Sequence, residues 1–381
     1  MSSQDTPLVQ YLTQVIAGNK SGPIAQLVLF LLTLLEGVYW LLLQLHRLST
    51  RPRRLPAPVL SIGNLVAGGT GKTPTVVWLA KQLQAAGYHP AVLTRGYGGK
   101  AQEAGMVFTH SDLGQQLPEQ VGDEPYLIAK LLPDLIVAVG RDRYAMGRRA
   151  LAQHPGIDCF ILDDGLQYWG LRRDLDIVLL DARKPFDNGH LIPRGILREP
   201  VRGLRRGKLI LLTRAQHLTG PDLERLTARL KQLNPEARIG LANSVEPEVV
   251  AMEDWDQGKL GQPARQYLKG RRIGLVTAIG NPNQLLQTIR QFEPVLERQW
   301  LFPDHHHWSE TAIAELIQRI SSTGLKVIIV TAKDAVKLNS YRRLFQQAGL
   351  KVLILTLDFT VDPPNILEQI FVAIQEKGRF T

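Results

Sequence analysis

The chain contains one cysteine, Cys159, in 381 residues. That excludes an intrachain disulfide and leaves no thiol cluster for zinc or an iron–sulfur group; the thiol count fits a reducing compartment. Charge is sparse at 21%, aromatic residues reach only 7%, and no internal repeat is present. The apolar class makes up 44%, with 33 Gly and 23 Pro scattered through the chain. A disordered polyelectrolyte, a collagen and a coiled coil are thereby excluded, and a globular chain able to bury a large core remains. At ~150 residues per domain the length suits two domains. Lys plus Arg number 45 against 35 Asp plus Glu, a formal net charge of +10. Such a chain favours anionic partners: phosphates, acidic lipid or nucleic acid.

The one long apolar run is Ile24 to Leu45, IAQLVLFLLTLLEGVYWLLLQL. It is about long enough to cross ~30 Å of hydrocarbon. It is too long for a signal peptide, and no basic segment precedes it. Glu36 sits near its middle, where a carboxylate costs roughly 2.5–3.5 kcal/mol on insertion scales. His46, Arg47, Arg51, Arg53 and Arg54 follow as a basic collar suited to anionic headgroups on a cytoplasmic face. A single span, a helix lying in the interface and a buried core helix are the three readings; the interfacial one fits both the Glu and the collar.

From Pro58 the pattern changes to short apolar runs alternating with helical stretches. Strands are expected at Val59–Ile62, Ala91–Thr94, Ile136–Val139, Cys159–Leu162, Ile177–Leu180 and Leu209–Thr213. Helices are expected near Thr75–Ala86, Pro125–Leu132 and Tyr144–Gln153. Continuous apolar runs indicate strands covered on both faces, hence an α/β fold with a mainly parallel sheet and helices on each side. The pattern restarts after about residue 240, with strands at Ile273–Thr277, Val327–Thr331 and Val352–Leu355. The expected organisation is an N-terminal membrane-associated helix and collar over 1–57, a core domain over 58–240 and a smaller α/β domain over 241–381.

The strongest chemical signal is VLSIGNLVAGGTGKTP, Val59 to Pro74. A strand, a Gly-rich turn and a helix beginning near Lys72 are the parts of a P-loop NTPase-type sheet. Gly68, Gly69, Thr70 and Gly71 let successive amides face phosphate oxygens, Lys72 would reach the β/γ-phosphates of ATP, and the Thr73 hydroxyl would ligate Mg²⁺. The usual spacing wants Gly where this chain has Val66. Downstream, CFILDDGLQ leads apolar residues into Asp163 and Asp164, the pattern of a strand that completes a magnesium shell, with Gln167 close enough to join it. The alternative is an Asp-Gly turn after a strand. VGDEP places Asp123 before a helix, where the residues alone read as an N-cap. FPDHHHW gathers Asp304, His305, His306 and His307, read as a metal site, a polar loop or a carboxylate-polarised His for proton transfer; the last is preferred over metal. The basic run Leu191–Lys208 carries six cations against Glu199 alone and no aromatic residue, which favours an anionic headgroup over nucleic acid.

Taken together, GGTGKTP, TRGYGG (Thr94–Gly99), GDEP, DDGLQ, RRDLDIVLLDA (Arg172–Ala182), LREP (Leu197–Pro200), FPDHH and TAKDAVKL (Thr331–Leu338) resemble the tetraacyldisaccharide 4′-kinase family. The ordered series covers nearly the whole chain, and Val66 belongs to the family pattern. Two local departures are Pro193-Arg194-Gly195-Ile196 before LREP and Ala332 before Lys333-Asp334. The resemblance implies transfer of the ATP γ-phosphate to the 4′-hydroxyl of a tetraacylated disaccharide 1-phosphate, giving lipid IVA at the cytoplasmic face of the inner membrane. It implies Asp123 as general base with His305 as its partner, or His306 if the register of the His run shifts. Lys72 and Thr73 would hold phosphate and Mg²⁺, while Asp163, Asp164, Gln167 and Glu199 complete or orient the metal site. No nucleic acid and no obligate protein partner are expected. A P-loop positioning ATPase, the competing reading, carries a signature Lys where this chain has Ala67.

Overall fold

The computed structural model describes residues 7–114, 117–304, 306–363 and 365–378. The strands of the first half are β1 (Val59–Asn64), β2 (Pro90–Thr94), β3 (Met106–Phe108), β4 (Ile136–Val139), β5 (Cys159–Asp163), β6 (Leu175–Asp181), β7 (Leu209–Thr213) and β8 (Arg238–Ser244). Those of the second half are β9 (Glu248–Ala251), β10 (Gln262–Pro263), β11 (Arg272–Thr277), β12 (Val295–Leu301), β13 (Val327–Thr331), β14 (Lys351–Thr356) and β15 (Phe359–Asp362). They make two sheets, ordered β15-β8-β7-β6-β1-β5-β2-β4-β3 and β10-β9-β14-β13-β11-β12.

The first sheet is parallel except for its two edges, β3 against β4 and β15 against β8. Its central strands are buried along their whole length: β1, β2, β5 and β7 expose no residue. This is why their sequences are continuous apolar runs rather than alternating ones. β1 sits between β5 and β6, so the loops leaving the carboxyl ends of β1 and β5 emerge side by side, where open α/β sheets bind ligands.

The division near residue 240 needs one correction. After completing the second sheet, the chain returns to the first: β15 pairs with β8, and Ile366, Ile370 and Ile374 of the closing helix Ile366–Gly378 share a core with Val76, Leu79 and Leu83. The second lobe is therefore an insertion whose two ends are both anchored on the large sheet. Its own core is joined by Leu127 from the first lobe.

Helices α1 (Pro7–Ile16) and α2 (Pro23–Ser49) precede the sheet. At 27 residues α2 is long and apolar enough to cross a membrane. The reading of a buried core helix is overturned, because Ala25 is the only residue of α2 that is buried. Leu27, Phe30, Leu34, Val38, Leu41 and Leu45 are all exposed. Glu36 does not join that apolar face. Its carboxylate accepts from the Leu191 backbone N–H at 2.7 Å and lies 3.1 Å from His190 Nδ1. One turn on, Tyr39 donates its hydroxyl to the Arg198 carbonyl at 2.8 Å. The central acid of the run is thus a docking contact for the globular body.

Candidate active site

One end of the candidate site is built by the turn from β1 into α3 (Lys72–Ala85). Gly71 caps this helix at φ 89, left-handed backbone that favours glycine. No side chain caps α3, so its first-turn amides and partial positive charge face an incoming anion. A Cβ added at Gly68 or Gly69 would meet open space, so the turn lies uncovered. Buried Asn64, the last residue of β1, braces it: Nδ2 donates to Thr70 Oγ1 at 2.8 Å, and Oδ1 accepts from Lys72 Nζ at 3.4 Å. Arg214 adds a second brace, donating to the Gly69 carbonyl at 3.1 Å.

Strand β5 pairs with β1 so that Ile62 is opposite Asp163. Asp163 is buried; Oδ2 accepts from the Thr94 hydroxyl at 2.9 Å, while Oδ1 has no partner among the described residues. Burial, then repulsion from Glu124 and Asp164, pushes its carboxyl up to about 7 against the pull of Thr94 and Lys72. Asp164 lies in left-handed backbone at φ 48 and is gripped by Arg198 Nη1 at 2.8 and 2.9 Å, with Lys72 Nζ 3.7 Å away. Burial raises its pKa, but Lys72 and Arg198 together outweigh burial and hold it below the ordinary value. Two adjacent carboxyls therefore have opposite tendencies, one set by burial and the other by cations.

Gln167 and Glu199 form the layer behind this pair. Gln167 Nε2 donates to the Asn64 carbonyl at 2.9 Å and to Glu199 Oε1 at 2.8 Å. Both Glu199 oxygens are held by Arg206 Nη2 at 2.7 and 2.6 Å. In this geometry Glu199 orients Gln167 and the β1 terminus; it does not present a free carboxylate edge.

Asp123 corrects the N-cap reading. Gly122 is the cap of helix Asp123–Leu131, with no side-chain cap bond, and Asp123 is its first residue. A side chain at Gly122 would approach the Tyr97 carbonyl within 2.8 Å. The TRGYGG turn and the GDEP turn are packed backbone to backbone, which fixes where the helix starts. The Asp123 carboxylate, 5% exposed, pairs with Lys337 Nζ at 2.8 Å. Lys337 comes from helix Ala332–Leu338 of the second lobe. Its neighbour Lys333 reaches Glu124 at 3.5 Å and Asp304 at 3.2 Å. Burial lowers the Lys333 pKa, but Glu124 and Asp304 more than reverse it. The inserted lobe therefore holds the helix that carries Asp123 through two lysines.

Of the histidine run, His305 lies outside the described residues. His306 is packed in an aromatic cluster, 4.9 Å from the Phe302 ring and 4.6 Å from the Trp308 ring. Burial, Lys337 and His307 lower its pKa, favouring the neutral ring. His307 Nε2 lies 3.4 Å from Glu119. Among the described residues no group of His, Cys, Asp and Glu forms a metal cluster.

Lys337, Arg198, Asn64 and Thr94 were not singled out by motif chemistry. Lys337 and Arg198 stand inside the TAKDAVKL and LREP segments, and Thr94 opens TRGYGG, so position within a motif was the available signal. Asn64 gave none beyond lying at the end of β1.

Comparison with known proteins bears on this arrangement. The family model described as LpxK, tetraacyldisaccharide-1-P 4′-kinase, matches residues 28–375. A tetraacyldisaccharide 4′-kinase of Syntrophus aciditrophicus is 36% identical over 337 residues, covering 86% of this chain and 87% of the relative. One from Halothermothrix orenii is 35% identical over 344 residues, covering 87% and 88%. The crystal structure of LpxK from Aquifex aeolicus in complex with ATP matches with a TM-score of 0.67 at 25% identity, covering 89% of this chain and 97% of that one. The chain belongs to the tetraacyldisaccharide-1-P 4′-kinase family.

Proposed function

We propose that the cleft between α3 and Asp123 transfers the γ-phosphate of ATP to the 4′-hydroxyl of a tetraacyldisaccharide 1-phosphate, giving lipid IVA. The observation that carries this reading is that Lys72 Nζ lies 3.7 Å from Asp164, while the adjacent Asp163 accepts from Thr94, which opens the TRGYGG turn packed on Gly122 beside Asp123. The two ends are joined through adjacent residues, as a phosphate donor and an acceptor alcohol require.

The P-loop amides and Lys72 bind the β/γ-phosphates and stabilise charge on the transferring group. Asp123, oriented by Lys337, accepts the proton of the acceptor hydroxyl. Arg198 and Lys72 both engage Asp164, while Asp163 keeps one oxygen without a protein partner among the described residues. The orphaned Asp163 Oδ1, together with the Thr73 hydroxyl, fits a Mg²⁺ ion. Bound there, the ion would supply neutralising charge to the phosphate oxygens. Gln167 and Glu199 keep the β1 terminus and the aspartate turn in register.

The exposed apolar face of α2, and the docking of Glu36 back onto the protein, support a helix lying in the interface on the cytoplasmic face of the inner membrane. The acyl chains then stay in the bilayer, avoiding a cost of about 0.8 kcal/mol per exposed CH₂. The test is lipid-dependent ADP release by the purified chain, with the labelled phosphate recovered on the disaccharide. Release without lipid, or label only in free phosphate, would leave an ATPase and not this kinase.

A further inference from the structure

Beside the site, where the last turns of α2 meet the globular body, is a cleft of about 220 Å³. Its rim carries Arg47 from α2 and Arg202, Arg205 and Arg206 from the segment Val201–Arg206; Trp169 and Leu43 supply apolar wall. Lys72, Asp123 and Asp163 take no part in it; Glu199 also lines it, with both carboxylate oxygens held by Arg206.

Three observations point to one ligand chemistry. Arg47 and Arg202 are exposed and have no ion-pair partner among the described residues, so their charge is uncompensated. Arg206 is fixed by its bonds to Glu199, which presents a guanidinium already oriented. Two buried donors of the wall, Trp169 Nε1 and Arg206 Nε, have no acceptor among the described residues, and buried donors left without acceptors are uncommon. Cations, unmet donors and an apolar wall together suit an anionic oxygen group joined to a hydrophobic body. The place agrees: the cleft opens at the end of α2, next to the exposed Leu45 and Leu48, the level at which headgroups meet an interfacial helix.

We propose that this cleft binds the phosphodiester headgroup of an anionic bilayer phospholipid, distinct from the lipid that is phosphorylated. The site rests on the reading of α2 as a membrane-engaging helix. Through Glu199 and Gln167, headgroup occupancy adjoins the β1 terminus, so the enzyme is seated on the membrane by the same side chains that brace its phosphate loop.

The experiment is vesicle flotation of the full chain at constant ionic strength, with no ATP or disaccharide present. Vesicles are phosphatidylcholine alone or phosphatidylcholine with phosphatidylglycerol. The wild type is expected to prefer the phosphatidylglycerol vesicles. Arg202→Gln with Arg205→Gln should reduce that preference about fivefold for each arginine removed. Trp169→Phe leaves the charge unchanged and should still weaken the preference. Unaltered melting temperature and ATP affinity establish that each variant is folded. A double variant that keeps the full preference overturns the proposal. So does loss in the arginine variant with none in Trp169→Phe, which marks diffuse surface charge and no site. Abolition of the preference by inorganic phosphate, exchanged for chloride at equal ionic strength, would assign the cleft to a free anion. Because the assay omits ATP and disaccharide, its failure leaves the kinase reading standing, and the converse holds.

Discussion

The two ends of the proposed active site are built in different ways. The phosphate end comes from neighbouring strands of one sheet: β1 supplies Asn64 and the turn into α3, and β5 supplies Asp163 and leads into Asp164. Its geometry follows from strand order and backbone hydrogen bonds. The acceptor end depends on a second lobe inserted between β8 and β15, whose Lys337 and Lys333 reach back to Asp123 and Glu124. One end is therefore fixed by local secondary structure and the other by docking between lobes. A substrate-bridging enzyme with this division can keep nucleotide binding intact while the acceptor side is adjusted.

The sharpest way to break the comparison is at the phosphate end. Lys72→Ala should lower kcat by about 10²–10³-fold, the usual cost of removing one preorganised charge-stabilising donor. Steady-state transfer with purified, folded enzyme measures it; turnover near the parent's would remove Lys72 from its role. On the acceptor side, Lys337→Met should leave ATP affinity unchanged yet lower kcat about tenfold or more, because the Asp123 carboxylate loses the Lys337 ion pair at 2.8 Å that helps to orient it. Equal losses in ATP affinity and kcat would contradict the separation of the two ends.

Asp163 gives a smaller effect with a definite sign. Its folded pKa of about 7 lies above the ordinary 3.8, so between these values the folded state holds more protons than the unfolded one. Its contribution is fully present below about pH 4 and is lost as pH rises through 7. In nucleotide-free, metal-free buffer at pH 8, Asp163→Asn should therefore melt at a higher temperature than the parent while losing transfer activity. A lower melting temperature for the variant would reverse the assignment. The smallest effect is expected from Glu36→Leu, which removes the docking bonds of α2 to His190 and Leu191. Apparent KM for the lipid should rise severalfold with KM for ATP unchanged; a shift in ATP alone would disconnect α2 from acceptor binding.

The sequence was most readable where burial is complete. Ile136–Val139, Leu209–Thr213 and Val327–Thr331 are strands over the expected residues, because each is an uninterrupted β-branched or Leu-rich run inside a sheet. The missed strands are at edges or partly wet. In β12, VLERQWL, six of seven residues are not buried, and β8 mixes exposed and buried positions. Their pairing is supplied by neighbours, not by local pattern. The return of the C-terminal helix to the first sheet could not be read from periodicity, since an amphipathic face does not say which core it covers. At the site, the P-loop and the aspartate turn were legible because glycine and acid spacing carries the chemistry locally. The Lys337 contact of Asp123 was not, because Lys337 is brought there only by the docking of one lobe on the other.

The central claim is that one substrate bridges a nucleotide grip and a separately held carboxylate. Single-turnover transfer from γ-labelled ATP by Asp123→Asn, alongside its ATP affinity, tests this most directly. The account predicts parental ATP affinity with the chemical step slowed about 10²–10⁴-fold, the range for loss of a positioned base. Transfer at the parental rate would contradict it.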